Sequence, residues 1–203
     1  GPQGRTTVAV WDGADWQPLL SGPEWSVSTL VAVGNDLVAA GEYAAASSTI
    51  AAAARWNGVS WQTLGDLSGL SPFQLALGEL RGRIVLGCYT QSSGSPLLVW
   101  DGATWSPLGP SFGSPNSSTR ITSITPYHDG LAIGGSFSTI GNSAVGNWAV
   151  LSCSCYANCD NSTTPPILNV GDFQCFLNKF AAQDTAANCD GSMRFLAARG
   201  CAG

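Results

Sequence analysis

Short apolar runs separated by turn residues fill the first three quarters of the chain. A run at 27–33 and a second at 37–40 are joined by Gly34-Asn35-Asp36. Similar pairs of runs follow at 73–77 with 84–86 and at 121–125 with 131–133. Runs of this length, bounded by Gly, Asn and Asp, are typical of β-strands in hairpins. The pattern therefore predicts pairs of short strands that recur along the chain.

A tryptophan motif recurs between these pairs of runs. Its first Trp returns after 45 and then 44 residues, and a weaker fourth copy, Gly146-Asn147-Trp148, follows 48 residues later. The three full copies are Trp11-Asp12-Gly13-x-x-Trp16-x-x-Leu19, Trp56-Asn57-Gly58-x-x-Trp61-x-x-Leu64 and Trp100-Asp101-Gly102-x-x-Trp105-x-x-Leu108. Self-similarity at this period is typical of arrays of one supersecondary unit, such as propeller blades. We therefore predict four-stranded blades whose units are marked by Trp11, Trp56, Trp100 and Trp148.

The residues between the two Trp of each motif favour a tight turn. Asp-Gly and Asn-Gly between apolar runs are strong hairpin signals, because these residues tolerate the positive φ that such turns demand. Glycines at 41, 87 and 135, spaced by 46 and 48 residues, close the second strand of each unit. Indoles beside a hairpin turn pack well between neighbouring blades. We interpret the Trp residues as packing groups; a ligand-stacking platform is the alternative.

Composition narrows the class of protein. The chain has 25 Gly and 11 Pro, only 10% charged residues and a net charge of -5, and its eight basic residues are scattered. No basic stripe is present, so nucleic acid is not an expected partner. No apolar run has the length of a transmembrane helix. Three units and a piece are fewer than the ~4–8 blades that close a propeller, so we expect a fragment, an open arc or an oligomer.

Cysteine is concentrated at the end of the chain. Six of the seven cysteines follow residue 151, and we take them as disulfide candidates: Cys153, Cys155, Cys159, Cys175, Cys189 and Cys201. Such density is typical of a small, disulfide-stapled unit in an oxidising, extracellular compartment. A zinc cluster is the alternative, but the usual Cys-x-x-Cys spacing is absent and the only histidine is His128. We divide the chain into repeats at 1–151 and a cysteine-rich tail at 152–203.

The tail combines an oxygen-rich loop with an amphipathic helix. The apolar residues of the predicted helix, spaced at i, i+3, i+4 and i+7, are Phe173, Phe176, Leu177 and Phe180. Calcium requires six or more oxygen ligands from a loop that leads into a helix. The candidate ligands are Asn158, Asp160, Ser162, Asn169 and Asp172. The sequence of the tail therefore predicts a calcium site beside an apolar helix face.

Two resemblances cover most of the chain. The Trp-Asp-Gly-x-x-Trp-x-x-Leu repeats resemble kelch-like, galactose-oxidase-type propellers. The tail, with Cys159-Asp160 in its loop and Leu168-Asn169-Val170 leading into its helix, resembles the dockerin-like repeat of secreted planctomycete-type bacterial proteins. That resemblance implies that the tail helix docks to a partner, as dockerin helices do with cohesins. The second copy of the loop, at 187–192, departs from the pattern because its helical half is missing.

Candidate catalytic groups are few. Galactose-oxidase chemistry needs two His and two Tyr on copper, and the chain has one His and four Tyr. His128 lies in a turn sequence, and Asp12, Asp101 and Asp129 lie in or beside Asp-Gly turns. We therefore expect no enzyme but a secreted recognition or scaffolding protein, with extracellular protein or glycan as partner. The alternatives are a carbohydrate-active enzyme or lectin-like glycan binder, and a structural protein that self-associates through open sheet edges.

The expected fold is thus an all-β, partial β-propeller of about three four-stranded blades plus a fragment. A small C-terminal loop and helix completes it.

Overall fold

The computed structural model describes residues 8–19, 25–44, 49–91, 94–115, 118–128, 130–152, 170–181 and 194–197. Within these ranges the fold is all-β, with antiparallel sheets that do not close and one helix, α1 (Val170–Ala181). Three four-stranded units and a two-stranded fragment make up the array. The predicted fold class is confirmed. None of the described helices is both long and apolar enough to span a membrane.

The fragment and the first blade are simple meanders. The N-terminal hairpin consists of β1 (Ala9–Trp11) and β2 (Trp16–Pro18). Blade A is the four-stranded sheet of β3 (Ser26–Val33), β4 (Asp36–Ala44), β5 (Thr49–Trp56) and β6 (Trp61–Thr63). Consecutive strands pair in chain order, as the hairpin signals predict.

Blades B and C are joined in one sheet. Blade B consists of β7 (Ser71–Leu80), β8 (Arg83–Thr90), β9 (Leu97–Trp100) and β10 (Trp105–Pro107). Blade C consists of β12 (Thr119–Tyr127), β13 (Gly130–Ser136), β16 (Trp148–Ser152) and β17 (Arg194–Ala197). The end of β8 pairs with the start of β12, which links the two blades. A small sheet of β11 (Phe112–Gly113), β14 (Thr139–Ile140) and β15 (Ser143–Ala144) lies beside them.

The three Trp motifs form the same turn. Asp12 Oδ1 accepts the backbone N–H groups of Ala14 and Asp15, each at 2.8 Å. Asn57 and Asp101 accept the equivalent pairs of N–H groups at 2.7–2.9 Å. The glycine that follows has a φ of +105°, +93° or +109° in the three copies. The Asp or Asn side chain accepts the backbone N–H groups of the turn, and the glycine after it takes the positive φ that the turn requires. These two roles explain the Asp/Asn-Gly pair.

A β-bulge explains two of the three recurring glycines. The register between β3 and β4 shifts between Val27 and Thr29, and a Cβ added to Gly41 would lie 1.9 Å from the Ser26 carbonyl oxygen. Gly135 meets the Arg120 carbonyl oxygen at the same 1.9 Å beside the bulge in β12. Only glycine fits so close to another backbone. Gly41 and Gly135 are each five residues after the start of the second strand of their blade. In blade B the residue at that place is Cys88, and Gly87 precedes it by one residue.

The core lies on both faces of blade B. Along β8, Ile84 and Leu86 pack towards blade A, whereas Val85 between them packs towards blade C. Since successive side chains of a strand point to opposite faces, both sets are buried only if a blade covers each face. The continuous apolar run at 84–86 reflects this double burial.

Blade C departs from the expected repeat. Leu151 pairs with Phe195, in the positions that Trp100 and Trp105 occupy in blade B. Trp148 instead begins its strand, opposite Gly134, so it is not equivalent to the other first tryptophans. The fourth strand, β17, comes from the segment that the sequence analysis placed in the tail. The third and fourth strands of blade C are therefore connected by residues 153–193, whereas the same connection in blade B has only the four residues 101–104.

Candidate functional site

Most of the predicted calcium ligands lie outside the described residues. These are Asn158, Asp160, Ser162 and Asn169. Asp172 is the third residue of α1, and its side chain is also outside the description. Within the described ranges no three His, Cys, Asp or Glu side chains are grouped so as to hold a metal ion. Calcium binding by this loop stays a prediction.

The two described cysteines have different states. Cys175 in α1 is disulfide-bonded. Cys88 in β8 is a free thiol, fully buried, and burial raises its pKa to about 11. Such a thiol stays protonated at neutral pH and packs as a small apolar group. The other candidates, Cys153, Cys155, Cys159, Cys189 and Cys201, lie outside the described residues.

Helix α1 presents an apolar face to solvent. Val170, Phe173 and Leu177 are 84%, 64% and 41% exposed. At 100° per residue they lie within about 60° of arc, so they form one stripe. Phe176 and Phe180 belong to the same helix, but their side chains are outside the described residues. Among the described elements, α1 makes no extensive contact with a strand.

The paired tryptophans form an interface between blades A and B. The Trp100 and Trp105 rings have centroids 5.3 Å apart, and Trp105 Nε1 donates to the Leu64 carbonyl oxygen at 2.7 Å. Gly65, at a φ of +65°, lies so close that a Cβ there would be 2.8 Å from the Trp100 ring. The second pair, Trp56 and Trp61, is partly buried, and Trp61 Nε1 has no partner among the described groups.

Trp11 and Trp16 form a tilted ring pair like Trp100 and Trp105. Among the described residues, however, no neighbouring blade packs against them. The Trp11 and Trp16 rings have centroids 5.7 Å apart. Their side chains are 51% and 68% exposed. The N-terminal hairpin therefore presents two adjacent indoles at the surface.

Two aspartates considered as catalytic candidates serve their own turns. Backbone N–H groups of Asp15 and Ala14 lower the pKa of Asp12, and those of Thr104 and Ala103 lower the pKa of Asp101. Donors to the ionised form favour it. Both carboxylates are thus held as acceptors inside an exposed turn. His128 has a φ of +51°, which places it in the turn between β12 and β13.

A cleft at the junction of the blades was not anticipated from the sequence. Its volume is about 410 Å³, and its described lining residues are Gly69, Leu70, Ser71, Tyr89, Thr90 and Gln91. The Arg120 guanidinium carbon lies 5.5 Å from the Tyr89 ring centre. Tyr89 pairs with Ser71 on one side and with Arg120 on the other. These residues are far apart in the chain, so no local motif marks the cleft.

Comparison of the chain with protein families and with curated proteins found no match.

Proposed function

We propose that this chain is a secreted, non-catalytic recognition and scaffolding protein whose tail docks through helix α1. The observation that supports this proposal is the solvent-exposed stripe of Val170, Phe173 and Leu177. Apolar residues at i, i+3 and i+7 are the anchors by which a helix binds in a groove of a partner protein. The proposed occupant of this face is such an apolar groove on an extracellular protein.

The disulfide supports the orientation of the helix. At 100° per residue Cys175 lies about 170° from the middle of the apolar stripe, on the opposite face of α1. A disulfide on that opposite face leaves the apolar stripe unobstructed. A disulfide also fits the oxidising compartment of a secreted protein.

The blades supply the scaffold in this proposal. Blade B is covered on both faces by apolar clusters, so blades A, B and C pack as one continuous array. A rigid array of this kind presents its connecting loops at defined positions.

A pair of matched double variants tests the docking proposal. Phe173→Asp with Leu177→Asp places two carboxylates in the apolar stripe, whereas Gln174→Asp with Asn178→Asp places two on the neighbouring polar face. Gln174 and Asn178 are exposed and hydrogen-bonded to each other. The labelled chains are added to cells of the producing organism, and the retained fraction is measured.

We expect the first variant to lose retention by about tenfold or more, because burying a Phe and a Leu contributes about 1.5–3 kcal/mol each. The second variant should retain the wild-type level, and circular dichroism should show all three chains folded. Equal retention by both variants would contradict docking through this stripe.

Calcium binding by the tail loop belongs to the same proposal. Its ligand set is Asn158, Asp160, Ser162, Asn169 and Asp172. Isothermal titration of the calcium-free chain with calcium should give a single binding event that Asp160→Asn with Asp172→Asn removes, because these are its two carboxylates. An unchanged titration in this variant would remove calcium from the proposal.

Self-assembly is a second candidate function, supported by the exposed indoles of Trp11 and Trp16. The proposed occupant of this surface is a second copy of the chain. We expect sedimentation velocity to show association that increases with concentration and is lost in Trp16→Ser. Val59→Ser is the matched control, because Val59 is 84% exposed in the equivalent hairpin of blade A. A chain that stays monomeric at all concentrations would rule this function out.

A further inference from the structure

The cleft beside Tyr89 has a rigid frame. It lies where the connection from blade A to blade B, with Gly69 and Leu70, meets the ends of β7 and β8. At Tyr89, β8 pairs with Ser71 of β7 and with Arg120 of β12. Neighbouring strands on both sides therefore fix the backbone at Tyr89. A site held by paired strands is preorganised, so little ordering is needed when a ligand binds.

The lining is polar and uncharged. Ser71, Thr90 and Gln91 carry hydroxyl and amide groups, and among the described lining residues none is charged. Thr90 Oγ1 and Thr119 Oγ1 share a hydrogen bond of 2.7 Å, which fixes the Thr90 hydroxyl and leaves further acceptor capacity. A ligand with several hydroxyl groups finds donors and acceptors here.

Tyr89 supplies the apolar part of the surface. The Arg120 guanidinium lies over its ring at 5.5 Å, in the range of cation–π contacts. A tyrosine ring combines an apolar face with a hydroxyl group that donates and accepts. Leu70 adds a partly buried apolar group at the same cleft. The cleft thus combines an aromatic ring with neutral polar groups, in a volume typical of small-ligand sites.

We propose that this cleft binds a neutral, polyhydroxylated ring, such as a pyranose residue of an extracellular glycan. The C–H groups of such a ring pack on Tyr89 and Leu70, and its hydroxyl groups bond to Ser71, Thr90 and Gln91. The site is separate from helix α1, so the inference does not rest on docking through the tail.

Titration of the full chain tests the proposal. The probes are neutral hexoses and pentoses, their short oligosaccharides, and glucuronate as a charged counterpart, each followed by calorimetry and saturation-transfer NMR. We expect saturable binding of at least one neutral sugar, with saturation transfer to its ring protons. Binding of glucuronate alone, or of no sugar at all, would overturn the proposal.

Variants assign the binding to the cleft. We expect Tyr89→Ala to weaken the affinity by about tenfold or more and Gln91→Ala by a few-fold, since each removes direct contacts. Gln91 is exposed, so its substitution tests the site even where Tyr89→Ala does not fold. Tyr127→Ala is the matched control, because Tyr127 is half-exposed in blade C and packs against His128. Sugar affinity that is insensitive to both cleft variants, or lost in Tyr127→Ala, would overturn the assignment.

Discussion

The Trp100–Trp105 pair and the Trp11–Trp16 pair are copies of one motif in two environments. Both pairs flank an Asx-type turn with a positive-φ glycine, and their ring centroids are 5.3 and 5.7 Å apart. Trp105 is partly buried and donates to Leu64 of blade A, whereas Trp16 is 68% exposed. The motif therefore builds its hairpin locally. The neighbouring blade decides whether the indoles join a core.

Truncation of Trp105 and of Trp16, the second tryptophan of each motif, should show the largest difference between the two environments. We expect Trp105→Ala to lower the free energy of unfolding by about 3 kcal/mol, because it removes packing at the interface of blades A and B and a hydrogen bond. Trp16→Ala should cost less than about 1 kcal/mol, as is usual at exposed sites. Urea unfolding followed by circular dichroism measures both. Equal losses would mean that the blade interface adds nothing to the motif.

Gly65, beside the partly buried Trp100–Trp105 pair, should tolerate an added methyl group less well than Gly13 in the exposed hairpin. Gly65→Ala adds a Cβ 2.8 Å from the Trp100 ring at a φ of +65°, whereas a Cβ on Gly13 meets no atom within 4 Å. We expect Gly65→Ala to lower the free energy of unfolding by about 2 kcal/mol, from backbone strain plus a clash. Gly13→Ala should cost about 1 kcal/mol from strain alone. Thermal unfolding of both variants checks the order, and a larger effect at Gly13 would contradict it.

Replacing the indole by a phenyl ring isolates the hydrogen bond to Leu64. Trp105→Phe keeps an aromatic ring but leaves the Leu64 carbonyl without its donor, so we expect a loss of about 1 kcal/mol. Phe195 already stands at the equivalent place in blade C. Trp16→Phe is the matched change in the exposed hairpin and should be close to neutral. A double-mutant cycle that combines Trp105→Phe with Gly65→Ala would measure how far the two contacts depend on each other.

The smallest expected effect is the pH dependence of the turns, which should be the same in both environments. Backbone donors lower the pKa of Asp12 and of Asp101 below 3.8. The stabilisation is therefore present above the unfolded pKa and is lost as pH falls through the lowered folded pKa. NMR titration of the Ala14 and Ala103 amides should show this. Asp→Asn variants should remove the pH dependence and keep the turn, as Asn57 does. A transition in only one hairpin would contradict a purely local turn.

Local features of the fold were readable from the sequence. The Asp/Asn-Gly turns predicted the outer hairpins, and Gly34 with a φ of +60° marks an inner turn that was also predicted. These predictions succeed because each turn is set by residues within four positions of one another. The amphipathic pattern at Phe173 and Leu177 predicted α1 for the same reason.

Features that depend on residues far apart in the chain could not be predicted from the sequence. The pairing of β17 with β16 follows a long intervening segment, so periodicity did not indicate it. The weak motif at Trp148 predicted that this residue is equivalent to the first tryptophan of the other motifs. The strand register instead places Leu151 at that position. The cleft at Tyr89 combines residues from β7 and β8 with the connection between two blades, and no sequence pattern joins them.

The sequence by itself determined the tight turns, the paired strands beside them and the repeat, because short apolar runs and positive-φ preferences act over a few residues. Only the tertiary structure decided which copies of the motif are buried, where blades B and C join and where a cleft opens. Burial depends on which surfaces meet, and two hairpins built on the same motif differ in burial when only one of them packs against a described neighbouring blade.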